Sequence, residues 1–221
     1  MPESGCPIDF EAFLDDRVED GVFRIHRSIY HDAAVYEAEM DLIFERQWSF
    51  ICHDSQMPEP GDYFATYIGR QPVYAHRQKD GSVKVFINAC SHRGAVLTPL
   101  KQGNAKVITC RFHGWSYDCD GRCIRIKAQD TGFPAEGFER SHFNLKEVPL
   151  VADYRGFIFG CLDPMAELLE RHLGGARFFI DFFADQSPDG LEVLPGSQTY
   201  VCDHNWKLQA ENVVDGYHVS T

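Results

Sequence analysis

The chain has 221 residues and carries 21 Lys and Arg against 33 Asp and Glu, a formal net charge of −12. That length can bury one large or two small cores; the acidic balance excludes a general nucleic-acid binder, which needs a cationic surface, and no locally basic patch stands out. No apolar run of about 18 residues occurs, and Met1-Pro2-Glu3-Ser4-Gly5-Cys6 lacks the basic start and apolar stretch of a secretory signal, so the eight cysteines point to a reducing cytoplasm, not a disulfide scaffold.

Residues 32–48 predict an amphipathic helix. Val35, Met40, Ile43, Phe44 and Trp48 return at helical intervals among Glu37, Glu39, Glu45 and Arg46, with Asp32 as N-cap. From Trp48 the pattern changes to short strands: 63–68, then 73–77 leading through Lys79-Asp80-Gly81 into 83–87, an Asp-Gly hairpin signal. Cys90-Ser91-His92 follows directly. A strand at 106–109 runs into Cys110-Arg111-Phe112-His113, and strands at 115–118 and 122–126 flank the turn Asp120-Gly121. A strand at 155–162 closes this all-β block. Asp163-Pro164 predicts a helix start, with Asp as cap and Pro at the first helical position. Gly174-Gly175 interrupts that helix, and Phe178, Phe179, Phe182 and Phe183 read as core aromatics. A further strand is expected from Gln198 to Asp203.

Two short segments stand out chemically. Cys90-x-His92 and Cys110-x-x-His113 each supply one thiolate and one imidazole. A Rieske-type [2Fe-2S] centre has this demand, with two cysteines on one iron and two histidines on the other. Neutral imidazoles leave the cluster less negative than an all-cysteine one, so it accepts an electron more readily. Structural zinc accepts the same four donors in a tetrahedron, but zinc fingers usually pair Cys with Cys and His with His, whereas each half here is mixed. A Cys90–Cys110 disulfide is disfavoured by the reducing setting; chance clustering is the other competing reading in a chain with eight Cys and ten His. Cys6, Cys52, Cys161 and Cys202 stand far apart and read as buried small hydrophobes or inert thiols. Cys119 and Cys123 flank a turn without a further ligand at metal spacing, and His76, on a strand, reads as ordinary.

A second constellation lies near the C-terminus, in Asn205-Trp206-Lys207 and Glu211-Asn212-x-x-Asp215-x-Tyr217-His218. On a helix, Glu211, Asp215 and His218 would share one face. A carboxylate beside an imidazole can orient the ring and raise its basicity, although Gly216 lowers helical propensity.

Cys90-x-His92-Arg93-Gly94 with Cys110-x-x-His113-Gly114-Trp115, followed by this C-terminal set, resembles the large (alpha) subunit of Rieske non-haem iron aromatic-ring-hydroxylating dioxygenases. Asn88 to Ala95, Asp185-Gln186-Ser187-Pro188 and Gly190 to Leu194 resemble the benzoate, toluate and anthranilate branch. The resemblance implies an α+β chain in which an all-β Rieske [2Fe-2S] domain is inserted between an N-terminal helical segment and the start of an α+β catalytic domain. The implied divisions are 1–47, a helical segment packing with the catalytic domain; 48–165, the Rieske domain; and 166–221, the opening of the catalytic domain.

It further implies that Cys90, His92, Cys110 and His113 hold the cluster. Electrons come from NADH through a flavin/iron–sulfur reductase. His218 is the first histidine ligand of a mononuclear Fe(II), and Asp215 bridges that histidine to His113 of a neighbouring subunit. The implied reaction adds O2 to an aromatic carboxylate, giving a cis-dihydrodiol; the implied assembly is a homotrimer of large subunits with small beta subunits (α3β3), cytoplasmic, with neither nucleic acid nor membrane as partner. The second iron-binding histidine and the carboxylate ligand of the family would fall beyond Thr221, so the sequence reads as an N-terminal fragment, expected to hold a cluster but not to turn over substrate. Competing readings are a Rieske monooxygenase of the salicylate hydroxylase kind and a simple Rieske electron carrier. Respiratory Rieske proteins carry an extra cysteine beside each segment, where Phe112 stands in one place here. That difference, and Trp115 in place of a hydroxyl near the sulfurs, predict a potential low in the Rieske range.

Overall fold

The computed structural model describes residues 8–134 and 136–217, and the chain divides into two compact units, Met1–Ile43 with Pro195–Thr221, and Phe44–Leu194. In chain order the elements begin with β1 (Leu14–Arg17), β2 (Val22–Ile25), α1 (Ala33–Glu39), β3 (Ser49–His53), β4 (Asp62–Ile68), β5 (Gln71–Arg77) and β6 (Val83–Ile87). There follow β7 (Gln102–Asn104), β8 (Val107–Thr109), β9 (Ser116–Asp118), β10 (Cys123–Arg125) and the single turn α2 (Gln129–Gly132). β11 (Leu150–Tyr154), β12 (Phe157–Cys161), α3 (Leu169–Leu173), α4 (Ala176–Ala184) and α5 (Trp206–Val214) complete the set.

The Phe44–Leu194 unit is a three-layer β block. Its central sheet has the order β6-β5-β4-β7; β10-β9-β8 and β11-β12-β3 form two smaller sheets. Alternation along the central strands explains the layering, since successive side chains leave opposite faces. Tyr63, Tyr74 and Phe86 pack with Ile108, Tyr117 and Cys123 of the β8–β10 sheet. Their neighbours Phe64, Val73, Ala75 and Val85 pack instead with Ile51, Cys52 and Ile158 of the β3 and β12 strands. Both faces of the central sheet are therefore buried, and each fully buried large side chain contributes about 1.5–3 kcal/mol. Asp80-Gly81 and Asp120-Gly121 make the turns expected of them. Gly121 has φ of 73°, and a Cβ there would lie 2.4 Å from the Phe86 ring, so only glycine fits without displacing that ring. His76 is a satisfied core histidine, its Nε2 2.9 Å from the Ala105 carbonyl. The Cys52 thiol is pushed up to about 12 by burial and is inert as a nucleophile.

In the other unit, β1 and β2 form a hairpin. Asp32 caps α1, its Oδ1 accepting from the Ala34 N–H at 2.8 Å, and the helix continues as a wider turn over Met40–Phe44. Glu39 of α1 is buried and accepts from Trp206 Nε1 at 2.9 Å and Lys207 Nζ at 2.5 Å, both on α5. Tyr30 Oη donates to Glu211 on the same helix at 2.6 Å.

Four expectations are corrected. Asp163-Pro164 does not start a helix: Asp163 Oδ1 accepts from the Met165 N–H at 2.9 Å, a local turn that competes with helix, and α3 begins only at Leu169. Phe178, Phe179, Phe182 and Phe183 are exposed, not core. Residues 198–203 form no strand; the segment is exposed and has no ladder partner among the described residues, and an unpaired strand leaves its backbone groups unsatisfied. α5 ends at Val214; Asp215 is its C-cap, its N–H still donating to the Glu211 carbonyl at 3.0 Å, and its extended ψ turns the chain away before Gly216, so the helix face expected from Glu211 onward does not run past Asp215 into Gly216 and Tyr217. Among the described residues no helix is long and apolar enough to cross a membrane.

Candidate metal centre

The β block presents two loops of the same design. The first leaves β6 and the second joins β8 to β9. In each, the cysteine N–H donates to the carbonyl five residues on, Cys90 to Ala95 and Cys110 to Trp115, both at 2.8 Å. In each, a glycine four residues on donates back to the cysteine carbonyl, Gly94 to Cys90 at 2.8 Å and Gly114 to Cys110 at 3.0 Å. Both glycines sit in the left-handed region, at φ of 73° and 72°, where other residues are strained. The loops coincide in backbone although their histidines fall at different offsets.

Cys90, His92, Cys110 and His113 thereby line one cavity of about 280 Å³, with Arg93, Ala95 and Phe112. Its depth is chemically graded. Cys90 and Cys110 are 3% and 2% exposed, and burial, with the neighbouring Cys110 thiol, raises the Cys90 thiol above its ordinary value. His92 is half-buried and His113 exposed, their ring centroids 4.7 Å apart and nearly perpendicular. A thiol pair thus lies inside and an imidazole pair outside. Burial, then His113 and Arg93, lower the His92 pKa, keeping the imidazole neutral and able to donate a lone pair.

His92 Nδ1 is buried without a hydrogen-bond partner. A buried polar atom left unpaired costs about 1–3 kcal/mol, and a metal ion in the cavity would satisfy it. Among the described residues no three His, Cys, Asp or Glu side chains are placed to share a single ion. A tetrahedral zinc ion would need four donors aimed at one point, whereas separate thiol and imidazole pairs suit a two-iron group. The donor set fits a [2Fe-2S] cluster. Metal binding would reverse the raised Cys90 pKa, because a coordinating thiol is deprotonated outright.

Three surrounding residues shape the site; Trp115 belongs to the motif read from the sequence, but its stacking and the roles of Asn88 and Tyr117 were not foreseen. Asn88, buried at the end of β6, accepts at Oδ1 from the N–H groups of Leu97 (3.1 Å) and Thr98 (3.0 Å) and donates to Thr98 Oγ1 (2.8 Å), closing the first loop. Trp115 stacks on His92 at 4.9 Å and 14°. Tyr117 Oη accepts from the Ser91 N–H at 3.1 Å and lies 3.2 Å from Cys90 Sγ. This corrects the expectation that no hydroxyl stands near the sulfurs; Tyr117 provides one from the adjacent strand. The inward position of Tyr117 in the β9 alternation was the available signal. Asp215 lies in the other unit, exposed, its Oδ1 accepting from the Tyr217 N–H at 2.9 Å. His218 lies outside the described residues.

Comparison with known proteins agrees with this geometry. The Rieske [2Fe-2S] domain family matches residues 47–149. The chain is 50% identical over 204 residues to the 2-halobenzoate 1,2-dioxygenase large subunit of Burkholderia cepacia, spanning 91% of this chain and 43% of that protein. It is 47% identical over 213 residues to the anthranilate 1,2-dioxygenase large subunit of Acinetobacter baylyi, spanning 96% and 45%. The crystal structure of naphthalene 1,2-dioxygenase from Rhodococcus sp. bound to indole superposes with a TM-score of 0.81 at 37% identity, over 87% of this chain and 44% of that one. The chain therefore spans less than half the length of these three relatives. The α+β class and the β-rich Rieske block stand as expected.

Proposed function

We propose that this chain, which carries a Rieske [2Fe-2S] domain over residues 47–149 and is similar to the large subunits of the aromatic-ring dioxygenases, is the electron-receiving part of a terminal oxygenase acting on a benzoate-like aromatic carboxylate. The observation that carries this reading is the graded cavity, with buried thiols within, imidazoles without and an orphaned His92 Nδ1. Cys90 and Cys110 would hold one iron as thiolates, and His92 and His113 the other. A [2Fe-2S] cluster so bound supplies one-electron chemistry, while the mononuclear Fe(II) of such enzymes supplies an open site for O2.

The chain's own residues set the conditions for this. As a cluster ligand Cys90 would be a thiolate without a proton, so the Tyr117 hydroxyl, 3.2 Å away and already accepting from the Ser91 N–H, would be the donor to it. Trp115 covers one face of His92. His113 keeps its ring at the surface, where a ring N–H can donate to a carboxylate; by family likeness that carboxylate is Asp215 of an adjacent large subunit, and His218 is the first ligand of the Fe(II). Residues 1–47 and 166–221 would then belong to the catalytic domain; the Glu39 and Tyr30 contacts with α5 support this for residues 1–43 and 195–221, whereas residues 166–194 group with the β block. NADH would enter through a flavin/iron–sulfur reductase, with small beta subunits completing an α3β3 assembly in the cytoplasm.

Two measurements test this. Anaerobically reconstituted protein should bind iron with acid-labile sulfide; zinc alone would overturn the reading. In the longer oxygenase polypeptide, Asp215→Asn should leave the cluster reducible by NADH and reductase yet suppress cis-dihydrodiol formation from benzoates under 18O2. Unchanged product formation would remove Asp215 from the electron path.

A further inference from the structure

Among the described residues, α5 is held by polar contacts more than by packing. None of its residues is buried, and Val213 and Val214 at its end are exposed. A surface helix ordinarily owes its place to a buried apolar face. Here the N-terminal segment grips it at two points instead. The first is Glu39, the last residue of α1 and only 7% exposed, which accepts from Trp206 Nε1 at 2.9 Å and from Lys207 Nζ at 2.5 Å. The second is Tyr30, whose hydroxyl donates to Glu211 Oε1 at 2.6 Å. That bond holds the Tyr30 hydroxyl above its ordinary pKa, so it stays a donor at neutral pH. Lys207 joins the two grips, its Nζ lying 6.0 Å from the centre of the Tyr30 ring.

The grips differ in kind. A buried ion pair adds little stability over well-packed apolar residues, but its donors and acceptors meet in one geometry. A single bond between a half-buried tyrosine and an exposed carboxylate contributes little to global stability. What the two fix together is position. The contacts at 206–207 and at 211 lie about 7 Å apart along the helix axis, so jointly they stop α5 from sliding and from turning about its axis. Glu211 carries this constraint outward. Its carbonyl accepts from the Asp215 N–H at 3.0 Å, where the chain leaves the helix. Asp215 is thus set in place by the residue that Tyr30 holds.

We propose that Tyr30 is a positioning residue for Asp215, acting with the contact of Glu39 with Lys207 and Trp206 as a two-point brace on α5. The inference rests on the reading of Asp215 as the electron bridge, and it gives the N-terminal segment the task of aiming that bridge. A hydrogen-bonded link between subunits tolerates little misplacement, since a shift of about 1 Å in a positioned group can cost on the order of a hundredfold in rate. No bond is made or broken at Tyr30, and its hydroxyl keeps its proton throughout.

Hydrogen exchange in this chain is the first test. Tyr30→Phe should speed exchange of the α5 amides by roughly three- to tenfold, the equivalent of one ordinary hydrogen bond, and leave the strands of the β block unchanged. In the assembled, iron-loaded oxygenase the same variant should keep its iron content and be reduced normally by NADH and reductase. Reoxidation of the reduced cluster by O2 with benzoate, followed by absorbance in a single turnover, should slow on the order of tenfold, and kcat should fall with KM for benzoate unchanged. Lys207→Met should act alike, while Lys207→Arg, which keeps a charged donor for Glu39, should restore the rate. Tyr36→Phe is the control: Tyr36 lies on α1, 42% exposed, and its hydroxyl has no hydrogen-bond partner among the described residues. Reoxidation at the wild-type rate in both Tyr30→Phe and Lys207→Met would overturn the proposal, and so would unchanged α5 exchange. Loss of the mononuclear iron in these variants would also overturn it, by making the contacts purely structural. Normal reoxidation in Asp215→Asn would instead remove the bridge on which the inference rests, a result distinct from the others.

Discussion

Tyr117 Oη lies 3.2 Å from Cys90 Sγ while accepting from the Ser91 N–H. When Cys90 ligates the cluster as a thiolate it has no proton of its own, so the hydroxyl is the donor to the sulfur. A donor to a cluster thiolate favours the more negative, reduced state and so raises the potential. Tyr117→Phe should therefore retain the cluster and lower its midpoint potential by roughly 40–60 mV, the equivalent of one ordinary hydrogen bond in a one-electron couple. Protein-film voltammetry of the two proteins checks this; an unchanged or higher potential would show that the hydroxyl does not donate to Cys90.

Asn88 is the clasp of the first loop, meeting Leu97 and Thr98 through three short hydrogen bonds. Asn88→Ala leaves two buried N–H groups unpaired. It should destabilise the β block by at least about 2 kcal/mol and weaken cluster retention, read by urea unfolding and by loss of visible absorbance on dilution. A cost below about 0.5 kcal/mol, typical of a surface substitution, would contradict the assigned role.

Glycine substitutions separate backbone strain from steric conflict. Gly94 has φ of 73°, and a Cβ added there would meet nothing within 4 Å, whereas a Cβ at Gly121 would lie 2.4 Å from Phe86. Gly94→Ala should cost about 1 kcal/mol. Gly121→Ala should cost that plus roughly 1–3 kcal/mol of overpacking. Equal losses in thermal unfolding would show that Phe86 gives way freely.

Glu45 receives the Arg70 backbone N–H at 3.1 Å, its Nε at 2.8 Å and its Nη2 at 3.0 Å. Hydrogen bonding from Arg70 holds the Glu45 carboxyl below the ordinary carboxylate range. A depressed folded pKa stabilises the fold above the ordinary glutamate value, and that stability is lost as pH falls through the lower, folded value. Glu45→Gln should thus cost up to about 1 kcal/mol at pH 7, since the pair is partly exposed, and the difference should close in acid. A gap of the same size at pH 3 would contradict the assignment.

What the sequence revealed was what local chemistry decides. The Asp80-Gly81 and Asp120-Gly121 turns, the Asp32 cap and the four ligand candidates each depend on neighbours a few residues away, and each was legible. Tyr117 and Asn88 acquire their roles only when folding brings them to Cys90 and to Leu97 and Thr98. Asp163 and the 198–203 segment failed in the opposite sense: each had the right local pattern, but a competing side-chain turn in one case and the lack of a strand partner in the other prevailed. Phe178, Phe179, Phe182 and Phe183 have helical spacing, which marks a common face without stating that the face is covered.

The central claim is that Cys90, His92, Cys110 and His113 hold two irons, the histidines on one of them. The most direct measurement is pulsed EPR on the anaerobically reconstituted, one-electron-reduced chain labelled with 15N-histidine. Coupling to two histidine nitrogens, reduced to one in His92→Cys, is the predicted result. A reduced paramagnetic centre with no histidine coupling, or a diamagnetic protein containing zinc alone, would contradict it.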